Sequence, residues 1–288
     1  MKMKMKKLLA LTLALTMAVS MAACGKSGKP TESQAASSEA ASTASSQAAS
    51  SVAASTSDTP NIDRIKAAGK LVMLTNATFP PFEYIGADGK VAGVDADVAA
   101  EVAKDLGVEL EIVDMNFDLL IDSVKADKGD FAAAGMTINP ERLEQVDFSM
   151  EYVKSAQYVI VKKDSTIATD KLDGLTIAVQ ESTTGDFYAT DDVKAKEVLR
   201  FKNATETGAA LKAGKCDAVI IDKLPAEAIA ANSNGELVVL PQSLTEESYA
   251  FAVKKGNEDL VAEINKVMQK MIDEGKIDEL VTKHMTAA

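Results

Sequence analysis

Apolar and polar positions alternate along the chain in two rhythms from about residue 61 onward. Short apolar runs of strand type lie at 71–75, 130–136, 175–179, 198–201, 216–221, 236–240 and 249–253. Helical spacing fills the gaps. Val98, Val102 and Leu106 form one stripe over 95–106, a further helix carries Leu119, Leu120 and Val124, and shorter ones fit 184–188, 206–212 and 225–231. A long amphipathic helix follows, with Leu260, Ile264, Val267, Met268 and Met271 facing inward. Strands alternating with helices predict an α/β fold with largely parallel sheets and right-handed crossovers. Ligands of such sheets sit beyond the carboxyl ends of strands. Four places qualify: Asn76 to Phe79, Gly135 to Thr137 with Arg142 behind, Gln180 to Thr184, and Asp222.

Of these, the stretch from Ala134 to Arg142 is the most specific. Asn139 can cap a helix, and Pro140 suits its first position, where no backbone N–H is needed. Arg142 then falls in the first turn, where a planar, always-charged fork beside free N–H groups makes a carboxylate receptor. The plainer reading of Arg142 alone is a surface ion pair.

The N-terminus begins with charged residues, Lys2, Lys4, Lys6 and Lys7, then an apolar run from Leu8 to Val19 and small residues before Cys24. This predicts a secretory signal peptide over 1–23, too short to span a membrane. The cysteine directly after Met21-Ala22-Ala23 resembles a bacterial lipobox, which implies that Cys24 is acylated; Met21 departs from the Leu usual there. Residues 24–60 are nearly all Ser, Ala, Thr, Gln and Lys, with too little apolar surface to offset the entropy of ordering, and predict a disordered tether. Its r.m.s. span is roughly 30–35 Å.

Charge and cysteine content narrow the classes. The formal net charge of −12 grows more negative once the leader lysines are removed, which argues against nucleic acid and against direct adhesion to anionic lipid. Cys216 is the one cysteine besides Cys24, so an intramolecular disulfide is excluded if Cys24 is lipidated, and its apolar setting reads as packing. The single histidine, His284, sits near the end of the sequence and is expected to be neither catalytic nor a metal ligand. No Ser-His or Cys-His pair and no metal-ligand cluster is legible, so no cofactor is expected.

The motifs Phe79-Pro80-Pro81-Phe82-Glu83-Tyr84, Gly93-Val94-Asp95-Ala96-Asp97, Gly135 to Arg142, Val146-Asp147-Phe148-Ser149 and Asp217 to Asp222 fall in order along the chain. In that order the head resembles solute-binding protein family 3, the amino-acid-binding components of polar amino acid ABC importers, over nearly all of 62–281. The resemblance implies a two-lobe, periplasmic-binding-protein-like (type II) fold with two hinge strands. Residues 61–151 and 249–288 would form lobe 1 and residues 157–245 lobe 2, with hinges near 152–156 and 246–250. It also implies site roles. Arg142 would hold the ligand α-carboxylate with Thr183 and Thr184. Asp222 would take the α-ammonium with the Gly135 carbonyl and the Thr137 hydroxyl, while Phe79 and Phe117 sandwich the side chain. A desolvated zwitterion needs such a fork, a carboxylate and apolar walls. Each residue keeps a plainer reading: core aromatics for Phe79 and Phe117, helix caps for Thr183, Thr184 and Asp222, and caps or loop hydrogen bonds for Asp95 and Asp97.

Two departures from the family bear on the outcome. At the end of the chain, Lys283-His284-Met285 replaces the Lys-Trp-Phe-Gly common among members, which changes the packing expected there. In the cleft, Gln180 stands where some members carry lysine, and Asn76 where several carry aspartate. Neutral amides cannot balance a buried ammonium or guanidinium. Asn76 and Gln180 therefore favour a neutral polar amino acid, such as glutamine or a sulfur-containing one, over a basic one. Glu181 would admit a basic ligand if its side chain turned inward.

The expected protein is a monomeric receptor, lipid-anchored on the extracytoplasmic side, that hands a free amino acid to ABC importer permease subunits and binds no nucleic acid. The alternatives are a dehydratase-like enzyme on the same scaffold, or a sensor head, which is disfavoured because no signalling domain follows in this sequence.

Overall fold

The computed structural model describes residues 57–287. The expected signal peptide, Cys24 and most of the tether lie outside the described residues. The described chain opens with α1 (Pro60–Ala68), β1 (Lys70–Thr75), a small sheet of β2 (Thr78–Phe79), β3 (Glu83–Ile85) and β4 (Val91–Ala92), then α2 (Val94–Leu106) and β5 (Glu109–Asp114). A 3₁₀ turn at Phe117–Leu119 leads into α3 (Leu120–Lys125), β6 (Phe131–Ala132), α4 (Pro140–Leu143) and β7 (Val146–Phe148). After β8 (Val153–Ser155) come β9 (Gln157–Lys162), β10 (Thr176–Gln180), α5 (Thr184–Asp191), β11 (Glu197–Phe201), α6 (Ala204–Lys212), β12 (Ala218–Asp222), α7 (Lys223–Ala231) and β13 (Leu237–Val239). The chain returns through β14 (Glu247–Tyr249) to β15 (Ala252–Lys254), α8 (Glu258–Asp273) and α9 (Lys276–Ala287).

Two five-stranded sheets result, in the orders β5-β1-β6-β15-β7 and β11-β10-β12-β9-β13. Each has three adjacent parallel strands; β15 in one and β9 in the other pair antiparallel to these, and the outermost strand is antiparallel to β15 or β9 in turn. The sheets are therefore more mixed than strand and helix alternation predicts, because the strands that arrive from the other half of the molecule run in the opposite sense. Between the sheets, β8 and β14 pair antiparallel, with Ser155 opposite Glu247 and Val153 opposite Tyr249.

Helix stripes build the core beside the first sheet. Val98, Val102 and Leu106 are buried on α2, and Leu260, Ile264, Val267, Met268 and Met271 on α8. In the second sheet, Val159, Val161, Ile177, Val179 and Ile220 cluster with Ala189 of α5. Asp259 of α8 accepts from the backbone N–H groups of Asn61 and Ile62 at 2.7 and 3.0 Å, satisfying free donors at the start of α1 and tying α1 to α8. The apolar run 249–253 is two strands and not one: Tyr249 belongs to the small ladder with β8, and Ala252 to the first large sheet. The run 130–136 is also shorter as a strand, because the chain leaves the ladder after Ala132 and turns at Gly135, whose φ is 52°.

His284 is not at a loose end. It is buried, with Nδ1 2.9 Å from the Tyr84 hydroxyl and Nε2 2.9 Å from Asp97 Oδ2, which also pairs with Lys283. Cys216 is buried, and burial pushes its thiol up to about 11. Among the described residues no helix is long and apolar enough to cross a membrane, and no cluster of His, Cys, Asp and Glu could hold a metal ion.

Candidate functional site

The carboxyl ends of β1, β6, β10 and β12 converge on one tightly closed cleft with about 10 Å³ of free volume. It is lined by Asn76, Phe79, Phe117, Gly135, Thr137, Arg142, Gln180, Thr183, Thr184 and Asp222, the residues singled out from the sequence, together with Glu83 and Ala134. A larger depression of about 760 Å³ near Lys162, Lys212 and Cys216 is open to solvent and lies away from these strand ends.

Arg142 is held from three sides. Its backbone N–H donates to the Asn139 side chain at 2.8 Å, Nη1 donates to the Thr137 carbonyl at 2.8 Å, and Nη2 to the Ser182 carbonyl at 3.1 Å. Its guanidinium carbon lies 5.3 Å from the Phe117 ring centroid, within cation–π range. Helix α4 is a single turn whose Arg142 N–H is already taken, so the guanidinium and not a helix terminus supplies the positive field here. Burial lowers its pKa to about 10, and Glu247 and Asp222 oppose that shift. Two of its bonds go to neutral carbonyls, which leaves its charge unmatched by any hydrogen-bonded anion among the described residues.

Asp222 ends β12 just before α7 but makes no side-chain cap. Its Oδ1 accepts instead from the Tyr249 hydroxyl at 2.6 Å and the Ser155 hydroxyl at 3.2 Å. Burial, followed by the charge of Glu247, raises its pKa to about 7. Thr183 does cap α5, accepting from the Asp186 N–H at 3.2 Å, so its capping and cleft positions coexist. A Cβ on Gly135 would stand 2.7 Å from the Phe79 ring, so this aromatic wall depends on glycine at 135. Asp95 does not cap α2; it accepts from the Gly135 N–H at 2.9 Å and from the Tyr152 hydroxyl, supporting the cleft from below.

Gln180 Nε2 donates to Asn76 Oδ1 at 2.9 Å, joining the two halves across the cleft. Glu181 turns outward, with its carboxylate 2.7 Å from Lys202 Nζ.

Residues 71–287 match the family described as bacterial extracellular solute-binding proteins, family 3. The chain belongs to that family. The L-cystine-binding protein TcyJ of Escherichia coli (strain K12) is 29% identical over 230 residues, 79% of this chain and 86% of the relative. The arginine-binding extracellular protein ArtP of Bacillus subtilis (strain 168) is 32% identical over 224 residues, 75% of this chain and 86% of the relative. The arginine-bound form of truncated ArgBP from T. maritima matches with a TM-score of 0.69 at 41% identity, covering 73% of this chain and 99% of that one. This family 3 protein has their two-lobe type II fold, and these relatives are binding proteins, which sets the dehydratase-like alternative aside.

Glu83 is the lining residue whose role strand ends alone did not reveal. It is fully buried in β3, and neither carboxyl oxygen receives a hydrogen bond from a donor group among the described residues; its side chain lies within hydrogen-bond reach of the Asp95 carboxyl. Burial first, and the charge of Asp95 second, hold it well above the usual carboxylate range. Protonated, it can share its proton with Asp95; ionised, it meets only like charge. The available signal was local: Glu83 pairs directly across the β2–β3 ladder from Phe79, and opposed residues share a sheet face.

Proposed function

We propose that this receptor takes a basic amino acid, arginine, between its two lobes and delivers it to an ABC importer. Binding of an amino acid for import is the general role of the family and of the relatives above; the choice of arginine rests on Glu83. A buried carboxyl whose only polar neighbour is a second carboxyl must stay protonated unless it meets a cation. Glu83 lines the cleft beside Phe79, where a guanidinium held between Phe79 and Phe117 would reach it. Arg142 and the Thr184 backbone then receive the α-carboxylate, and Asp222, the Gly135 carbonyl and the Thr137 hydroxyl the α-ammonium.

A neutral polar ligand is the second reading. It is favoured by the amide pair of Asn76 and Gln180, which carries no charge to match a cation. Glu181 no longer bears on the choice, since Lys202 holds it at the rim. Isothermal titration with arginine, lysine, glutamine and cystine decides between them. Arginine should bind at least about tenfold more tightly than glutamine or cystine, a difference of about 1.4 kcal/mol, and Glu83→Gln should remove that preference. Tighter binding of glutamine or cystine than of arginine would select the neutral reading.

We further propose that the paired strands β8 and β14 act as the hinge and that Cys24 carries a lipid anchor. Support for the anchor is the small-residue run before Cys24 and the polar tether after it. Cys24→Ser should release the protein from membranes and abolish labelling by a palmitate analogue.

A further inference from the structure

We infer that Glu247 is a positioning residue that orients the hydroxyl protons of Thr137 and Thr184, and so decides which end of a zwitterion each threonine can accept. This inference rests on the amino-acid-binding reading of the cleft. Glu247 does not line the cleft; it stands behind it, on β14, against the neighbouring depression that Thr137 and Thr184 also border.

Its Oε2 accepts from Thr137 Oγ1 at 2.6 Å and from Thr184 Oγ1 at 2.8 Å, with Gln157 Nε2 at 3.4 Å. Its Oε1 accepts from Thr245 Oγ1 at 2.9 Å. A hydroxyl has one proton to give. With that proton committed to Glu247, Thr137 Oγ1 presents only lone pairs to the cleft, where it suits an ammonium and opposes a carboxylate. Thr184 Oγ1 also accepts from Gln157 Nε2 at 3.1 Å, so its hydroxyl is nearly saturated and only its backbone N–H remains for the ligand carboxylate. Since Thr137 and Thr184 come from different lobes, one carboxylate on the crossing strand sets the polarity of both walls.

An amide at 247 would donate to one of the two hydroxyls, freeing that proton to turn into the cleft against the ammonium. The test compares arginine with 5-guanidinopentanoate, which lacks the α-ammonium, by titration or by competition at millimolar concentration. Glu247→Gln should weaken arginine at least about tenfold and the analogue less than about threefold. Thr137→Val, which leaves Glu247 in place, should give the same selective loss, and Glu247→Asp, whose shorter side chain withdraws the carboxylate from the two hydroxyls, should also weaken arginine more than the analogue and decides the matter if Glu247→Gln does not fold. The double variant should lose no more than Thr137→Val alone. Equal losses for both ligands, or additive losses in the double variant, would overturn the inference by reducing Glu247 to a structural contact. If the wild type prefers glutamine, glutamine and glutaramate replace the pair, so failure of the arginine reading remains separate from failure of this one.

Discussion

At the scale of single residues the cleft is built from opposed, desolvated charges. If Arg142 and Asp222 hold the two charges of the ligand as proposed, removing either leaves a ligand charge buried without its partner, so Arg142→Ala or Asp222→Ala should cost roughly 3–5 kcal/mol of binding, on the order of a hundredfold or more in Kd. An affinity that calorimetry places within about threefold of wild type would reject either role. The pH dependence follows from Glu83, Asp95 and Asp222, all raised, the last two to about 6 and about 7. A raised folded-state value contributes stability below the unfolded value and loses it as pH rises through the folded value. From Asp95 and Asp222 the ligand-free protein should therefore lose stability between about pH 4 and 7, and Glu83→Gln should melt above wild type by a margin that widens as pH rises above the ordinary carboxylate range. A margin that stays constant with pH would show that folding does not hold Glu83 protonated. Arginine binding should release protons, visible as a buffer-dependent titration enthalpy. Arg142, Asp222 and the threonines were legible because they follow strand ends; Glu83 and Glu247 were not, because one depends on cross-strand pairing and the other on contacts over long sequence separations.

At the scale of elements, legibility followed length. The stripes of α2 and α8 run over several turns and fix those helices from spacing alone, whereas β2, β3, β4, β7 and β8 are too short for a period of two to stand out. Backbone turns supply a further test. Gly93 has φ 137°, and a Cβ there would lie 2.0 Å from the Phe82 carbonyl oxygen, so the entry to α2 admits only glycine. Gly89 has φ 77° with nothing near its Cβ position. Gly93→Ala should destabilise the fold by more than about 2 kcal/mol, and Gly89→Ala by about 1–2 kcal/mol at most. Urea denaturation checks both, and equal midpoints would contradict the steric account.

At the scale of the whole molecule, the two lobes meet through polar contacts of unequal weight. Gln180 to Asn76 is buried, and Arg142 to Ser182 nearly so, whereas Lys202 reaches Asp118 across the rim at 2.9 Å with water reaching both groups. An exposed ion pair is worth about 0–1 kcal/mol and is screened by salt. Asp118→Asn should therefore change ligand affinity by less than about fivefold, and the coupling between Asp118→Asn and Lys202→Gln should fade as sodium chloride is raised to about 1 M. Asn76→Ala should cost more and be insensitive to salt, because it strands the buried Gln180 amide. A salt-sensitive Asn76→Ala, or a rim pair whose coupling survives high salt, would mean that closure is governed at the rim and not in the cleft floor.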